Sequence, residues 1–339
     1  MKLETGRLNV WVFGPGTGEF IVVHVPPNGW LSIDGCSADA KEWPLRFFRD
    51  QVKVAPTHIL MTHPHADHAR GIRALVEHFT RGADSEWPRL GVVAPPRKKG
   101  RTGASQEGFD SQLANAVLST VKSCWRRRAG CRWVPRAGAR EPLGAGEVLT
   151  LSPERAALRP AGGSNFDWNR VATALAIEWE GHRVVLGADL VEKPGKGWST
   201  VLKRTPTARQ HVLLKVAHHG SLEAQHESLL KRLVGEAVVT LVTTPFASQD
   251  LPRFGKDDGV DLLLQHSDRL LLSGLSQAFE TQDRKPRQWP RSRLARLKKP
   301  IAPDEPVGEF PTNYVHLVLS SAGKLKANYG PGSVIVHRG

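Results

Sequence analysis

The chain has 339 residues, a length that suits one large α/β unit as well as two or three average domains, so size alone excludes little. Lysine and arginine number 47 against 33 aspartates and glutamates, and the net charge of +14 points to a polyanionic partner such as nucleic acid or an anionic membrane surface. Cys36, Cys124 and Cys131 show no Cys-x-x-Cys spacing and cannot all pair, which argues against a disulfide framework and for a reducing compartment. The opening MKLETGRLNV lacks an apolar signal core, and no run approaches the roughly 18 apolar residues of a membrane span. A soluble, cytoplasmic protein without a membrane partner is therefore expected.

From Asn9 to Cys36 the sequence reads as three strands, NVWVF, EFIVVHV and WLSID, separated by the turn clusters GPGTG and PPNG. Ala40 to Asp50 suits a short helix. A β-type run, His58 to Met61, then ends in Thr62, and His63, His65, Asp67 and His68 follow before a helical pattern over Ala69 to Phe79. A strand end followed by a loop and a helix start can turn several side chains toward one point. Three imidazoles and a carboxylate suit zinc, manganese or iron and are too rich in nitrogen for a calcium cage. His78, at the end of the helical pattern, reads as a surface residue.

Leu90 to Pro96 reads as the next strand, after which the chain turns basic from Arg97 to Arg140. KSCWRRRAGCRWVPRAGAR carries cations without an acid and interleaves Trp125 and Trp133. Phosphates would meet Arg126, Arg127, Arg128 and Arg132, and unpaired bases would stack on the tryptophans, if the stretch lines a nucleic-acid groove. An ordinary strand pair with a solvated cationic edge fits the same residues equally well. Glu147 to Ser152 is a strand and Pro160 to Asn169 a polar loop; Val171 to Asp189 forms a hairpin turning at Glu180-Gly181. His211 to Ser221 is a strand closing on His218 and His219, Leu222 to Leu233 an amphipathic helix and Glu236 to Phe246 a buried strand. Gln282 to Pro300 reads as a loosely packed basic loop, Asn313 to Gly330 as a hairpin and Gly332 to Gly339 as a last strand. No long linker isolates residues 247–339, so a single domain over 1–339 with a core of about 1–246 is expected.

The spacing His-x-His-x-Asp-His, the Gly-x-Asp strand end at Asp189, the lead-in residues Asn169 and Thr173, and Lys-x-x-His-His-Gly-Ser from Lys215 resemble the metallo-β-lactamase fold superfamily. Within it they look most like the branch around the DNA-uptake protein ComEC, over roughly the first 245 residues. The resemblance implies an α/β four-layer αβ/βα sandwich with a metal cleft at one edge of its two sheets. It also implies two divalent ions, zinc or manganese: His63 and His65 on one, Asp67 and His68 on the other, and Asp189 bridging them. One of His218 and His219 would complete the second site, leaving the other to contact substrate or protonate a leaving group, so Asp67, His218 and His219 form the expected catalytic set. Asp34, in the Asp-Gly turn that closes the opening meander, is expected to orient ligands more than to bind metal.

One departure stands out: many members carry a further histidine before the bridging aspartate, and none lies between His78 and His182. The first ion is left with fewer protein ligands, which makes manganese a rival to zinc. The implied activity is that of a nuclease or phosphodiesterase. The alternatives are a hydrolase of a lactone, thioester or cyclic phosphodiester, or a weakly active binding component of an assembly.

Overall fold

In the computed structural model the described residues are 2–14, 16, 18–36, 42–82, 86–93, 111–158, 167–193, 196–230, 240–246, 249, 251–253, 259–274, 297–298 and 313–338. Apolar, β-branched runs broken by Gly, Pro and Asp turns supply the strands. The first half contributes β1 (Leu8–Phe13), β2 (Phe20–Val25), β3 (Gly29–Asp34), β4 (His58–Met61), β5 (Arg89–Val92) and β6 (Arg132–Trp133). The second contributes β7 (Arg140–Leu143), β8 (Gly146–Thr150), β9 (Leu175–Trp179), β10 (His182–Leu186), β11 (Leu213–Lys215), β12 (Thr240–Thr243), β13 (Arg269–Leu272) and β14 (Leu297–Lys298). The chain closes with β15 (Tyr314–Leu319), β16 (Leu325–Tyr329) and β17 (Val334–His337).

These strands form two mixed sheets. One has eight strands in the order β16-β15-β1-β2-β3-β4-β5-β6, and the other has nine in the order β14-β17-β13-β12-β11-β10-β9-β8-β7. The tail is shared: β15 pairs with β1 in the first sheet, and β17 crosses to pair with β13 in the second. Alternation along each strand sorts the core into layers. Leu8, Val10 and Val12 of β1 face the second sheet and meet a cluster that includes Leu175, Ile177, Val184 and Leu213. Trp11 and Phe13, one residue out of phase, pack with Ile72, Leu75, Val117 and Val121 of α3 (Ile72–Phe79) and α4 (Gln112–Arg127). On the outside of the second sheet, Trp198 and Leu202 of α5 (Trp198–Arg204) and Leu263 and Leu264 of α7 (Gly259–His266) cover Val185, Leu214 and Leu241. The result is the expected four-layer αβ/βα sandwich.

Several elements differ from their sequence reading. The expected helix at Ala40 to Asp50 is the single turn α1 (Trp43–Arg46) running into a π-helical turn, Phe47–Val52. The helix expected from Ala69 is two pieces, α2 (Ala66–Ala69) and α3, because Gly71 adopts a φ of 79° between them. A side chain there would strike the Pro44 ring, its Cβ only 2.8 Å from Cδ. The described part of the basic stretch begins as a helix instead of a strand pair. Gln112–Arg127 is helical, and Ala114, Val117, Leu118, Val121 and Cys124 form its buried face. Of Leu222 to Leu233, a 3₁₀ turn (Leu222–Ala224) and α6 (Glu227–Leu230) are described, and 231–233 lie outside the described residues. So do 97–108 of the glycine-rich basic segment and all of Gln282 to Pro300 but 297–298. The three cysteines are free and buried, and no helix among the described residues is long and apolar enough to cross a membrane.

Candidate metal centre

The ends of β3, β4, β10 and β11 converge on one edge of the sandwich. β3, β4 and β5 are parallel, so their C-terminal ends deliver Asp34 and the His63–His68 segment side by side. β10 and β11 are likewise parallel and deliver Asp189 and the His218-His219 turn. At the focus lies one oxygen of a nearly inaccessible carboxylate. Asp189 Oδ2 is 3.3 Å from His68 Nε2, 3.8 Å from His63 Nε2, 3.8 Å from His219 Nε2 and 4.0 Å from His218 Nε2. Asp67 Oδ2 closes the ring, 3.5 Å from His68 Nε2 and 3.9 Å from His219 Nε2.

The backs of the histidines explain why their Nε2 atoms point inward. Asp34 accepts the Thr62 N–H at 2.7 Å, the Thr62 hydroxyl at 2.5 Å and the His68 Nδ1–H at 2.7 Å. Because the Thr62 hydroxyl is spent on Asp34, its oxygen accepts from His63 Nδ1 at 3.1 Å. Thr244 plays the same part for His219, whose Nδ1–H it accepts at 2.8 Å while donating its own hydroxyl to Glu19 at 3.1 Å. An oxygen behind the rings of His63, His68 and His219 thus assigns the proton to Nδ1 and leaves Nε2 as the inward atom. His219 is further held by its ring stacked on Phe246, with centroids 4.9 Å apart.

Several observations fit this cluster to cations. His68 Nε2, His219 Nε2 and Asp189 Oδ1 are buried without hydrogen-bond partners, which is costly unless something else meets them. Burial opposes a charged imidazole at His68, yet the carboxylates of Asp189, Asp67 and Asp34 outweigh it and hold its pKa well above the ordinary value. Burial likewise opposes charge on Asp189, and the imidazoles of His68 and His219 overcome it and keep that carboxyl well below the ordinary range. A site that draws positive charge this strongly suits a divalent ion. Asp67, His68, Asp189 and His219 place one ligand atom each within 4.8 Å of one another. His63 Nε2 and His65 Nδ1 face each other at 3.0 Å, close to the ~3.3 Å edge that Zn–N bonds of about 2.0 Å require of a tetrahedral site.

His63, His65, Asp67, His68, Asp189, His218 and His219 lie together at the cleft, but not equally. His219 stands in the buried ligand group and His218 at its margin. His218 Nδ1 donates to Ser221 Oγ at 2.8 Å, and the Asn169 amide meets its Nε2 at 3.2 Å, so this ring is engaged on both nitrogens. Asp34 clusters with His63 and His68, but its oxygens are already taken by three donors, which suits the orienting role expected of it.

Arg126, Arg127, Arg128 and Arg132, expected to meet phosphates if their stretch lines a nucleic-acid groove, lie away from the cleft. α3 leaves the cluster at Gly71, and Arg127 donates to the Thr80 carbonyl at its far end. Arg132 pairs with Leu90 near the start of β5, whose first residue, Arg89, is in register with His58. The arginines sit at the N-terminal ends of the parallel strands, opposite the metal ligands. The tryptophans are not free for bases either: Trp133 is fully buried, and Trp125 lies under Arg132 with its indole N–H on the Leu90 carbonyl. Glu19 and Lys215, a fully buried ion pair linked to His219 through Thr244, add two residues to the site that the motifs do not mark as such. Lys215 was visible in its motif; Glu19 gave no signal beyond one acid at the head of an apolar strand.

No protein-family model and no curated protein matches the sequence. Among solved structures, the chain is similar to the metallo-beta-lactamase fold protein YhfI from Bacillus subtilis, with 13% identity, a TM-score of 0.40 and coverage of 76% of this chain and 91% of that one. The metallo-beta-lactamase SMB-1 is 17% identical with a TM-score of 0.35, covering 63% and 78%. CmlA, a diiron beta-hydroxylase from Streptomyces venezuelae, is 15% identical with a TM-score of 0.35, covering 64% of this chain; the chain spans only 35% of the hydroxylase. Likenesses of this size carry no reaction or substrate over to this chain.

Proposed function

We propose that this protein is a metal-dependent hydrolase that cleaves phosphodiester bonds, with nucleic acid as the substrate class. One observation carries the metal-dependent part: a buried Asp189 oxygen lies within 4.0 Å of the Nε2 atoms of His63, His68, His218 and His219. His63 and His65 would hold one ion, Asp67, His68 and His219 the other, and Asp189 would touch both. Zinc or manganese held there would lower the pKa of water and neutralise charge developing on a phosphoryl or acyl oxygen.

The chain's own residues set up the remainder. Asp34, Thr62 and Thr244 fix the ligand rings, so little reorganisation is needed as charge develops. His218, anchored by Ser221 and met by Asn169 at the margin of the cluster, is placed to move a proton at Nε2 to or from a leaving oxygen. Support for nucleic acid comes from the net charge of +14 and from the motif likeness to the ComEC branch. A second reading, a small ester, lactone or cyclic phosphodiester substrate, is favoured by the position of the four arginines at the opposite end of the strands from the cleft.

The test is the purified protein with zinc or manganese against single- and double-stranded DNA and RNA and a panel of small esters, beside His65→Ala. Metal-dependent cleavage of nucleic acid, lost in the variant, is expected. Turnover of small substrates alone moves the assignment to the second reading, and turnover that survives chelation overturns both.

A further inference from the structure

Lys215 and Glu19 are both fully buried and form an ion pair between the two halves of the sandwich, Lys215 from the end of β11 and Glu19 from the head of β2. Desolvating two charges costs more than packing apolar residues of the same volume, so such a pair argues for a task beyond stability. The pair is wired to the metal cluster at two points. Glu19 Oε2 accepts both from Lys215 Nζ and from the Thr244 hydroxyl at 3.1 Å, and that hydroxyl accepts His219 Nδ1–H at 2.8 Å. Lys215 Nζ also donates to the Ala188 carbonyl at 3.3 Å, the peptide that leads into Asp189 and whose residue holds a φ of 44°. Glu19 additionally donates its backbone N–H to the Asp67 carbonyl at 3.4 Å.

We propose that Glu19 and Lys215 are positioning residues: through Thr244 they set the His219 tautomer with Nε2 inward, and through Ala188 they fix the backbone that presents Asp189. A carboxylate behind the hydroxyl draws the Thr244 proton toward Glu19, so the hydroxyl oxygen accepts from the Nδ1–H form of His219, alongside a longer 3.3 Å contact from the same nitrogen to the Thr244 carbonyl. Each partner comes from a different sheet, so the pair also ties closure of the sandwich to completion of the site.

This inference rests on the metal reading above, and the experiment separates the two. Zinc affinity of the metal-stripped protein is measured by competition with a chromophoric chelator for the parent, Thr244→Val, Glu19→Gln and Glu19→Gln/Lys215→Met. Imidazole nitrogen shifts of the stripped proteins are recorded with His219→Ala to identify the His219 signals. Thr244→Val removes only the shorter hydroxyl link and leaves the ion pair and the 3.3 Å contact to the residue 244 carbonyl in place, so it remains interpretable if the charge variants fail to fold. Expected are a 10–100-fold loss of affinity for one ion and a shift of His219 away from the pure Nδ1–H pattern in every folded variant. Folded Thr244→Val with parental affinity and parental His219 shifts overturns the inference. A parent that binds no zinc overturns the metal reading instead.

Discussion

The two adjacent histidines make the sharpest residue-level contrast. His219 keeps a buried, partnerless Nε2 facing Asp67 and Asp189, whereas His218 meets Ser221 and Asn169. His219→Ala should therefore lower the metal-to-protein ratio from about 2 to about 1. His218→Ala should retain both ions and lose turnover by roughly 10²–10⁴-fold, the range for a positioned acid or base. Elemental analysis beside a turnover assay checks the pair, and equal metal loss in both would merge their roles. Asp34 has a φ of 56°, which asparagine tolerates, so Asp34→Asn changes charge with little strain. It leaves the Thr62 and His68 donors facing an amide, and an affinity loss of about 10–100-fold for metal is expected by chelator competition.

At the scale of elements, the turn between β1 and β2 acts as a clamp on the ligand loop. Gly18 has a φ of 134°, and a Cβ there would lie 2.1 Å from the Asp67 carbonyl oxygen. Gly18→Ala should push the turn off the α2 segment and weaken metal binding while the sheets persist, which chelator competition and far-UV circular dichroism read together. The C-terminal turn of α4 gives the opposite forecast. Arg126, Arg127, Arg128 and Arg132 lie at the opposite ends of the strands from the cleft, so replacing all four by alanine should leave turnover of a minimal dinucleotide substrate unchanged. If a longer strand runs over that surface, the slope of log affinity against log salt should flatten by up to about 4 × 0.7 for a single strand.

Most of the cleft was legible because its ligands follow strand ends, where period-two burial and dense histidine spacing coincide. The Val171 to Asp189 hairpin was legible for the same reason: Glu180 and Gly181 take the positive φ values of a tight turn, and β9 and β10 pair across them. α4 was missed because cations crowd its end, although its apolar residues repeat at helical spacing. Glu19 could not be read from local pattern at all, since its meaning depends on a lysine from the other sheet. The choice between His218 and His219 was equally closed to spacing, because the left-handed turn that parts them sends the rings to different partners.

For the whole molecule, two buried histidines, His316 and His58, shape the response to pH away from the metal ligands. His316 donates Nε2–H to Asn9 at 2.9 Å, receives the Asn328 amide at Nδ1 at 3.3 Å, and stacks on Trp11. Its neutral ring is fully satisfied, and burial pushes its pKa down to about 3; burial likewise lowers His58 to about 4. Both take up protons more readily when unfolded, from the ordinary value of 6.5. Stability from these groups is therefore complete above pH 6.5 and is lost as pH falls toward their folded values. Denaturant midpoints should fall with acid over that window, and His316→Gln should remove up to about 1.4 kcal/mol per pH unit of the slope. An unchanged slope in the variant would mean that His316 is not held neutral.

The sandwich as a whole brings four strand ends to one oxygen, and Asp189 Oδ2 is where both halves of the chain meet. The most direct measurement is elemental analysis of the purified protein and of Asp189→Asn after equilibration with zinc or manganese. The parent should hold about 2 ions per chain, and the variant, folded but with the shared charge removed, should hold substantially fewer. A folded variant with the parental metal content, or a parent that takes up none, would contradict a metal centre built around Asp189.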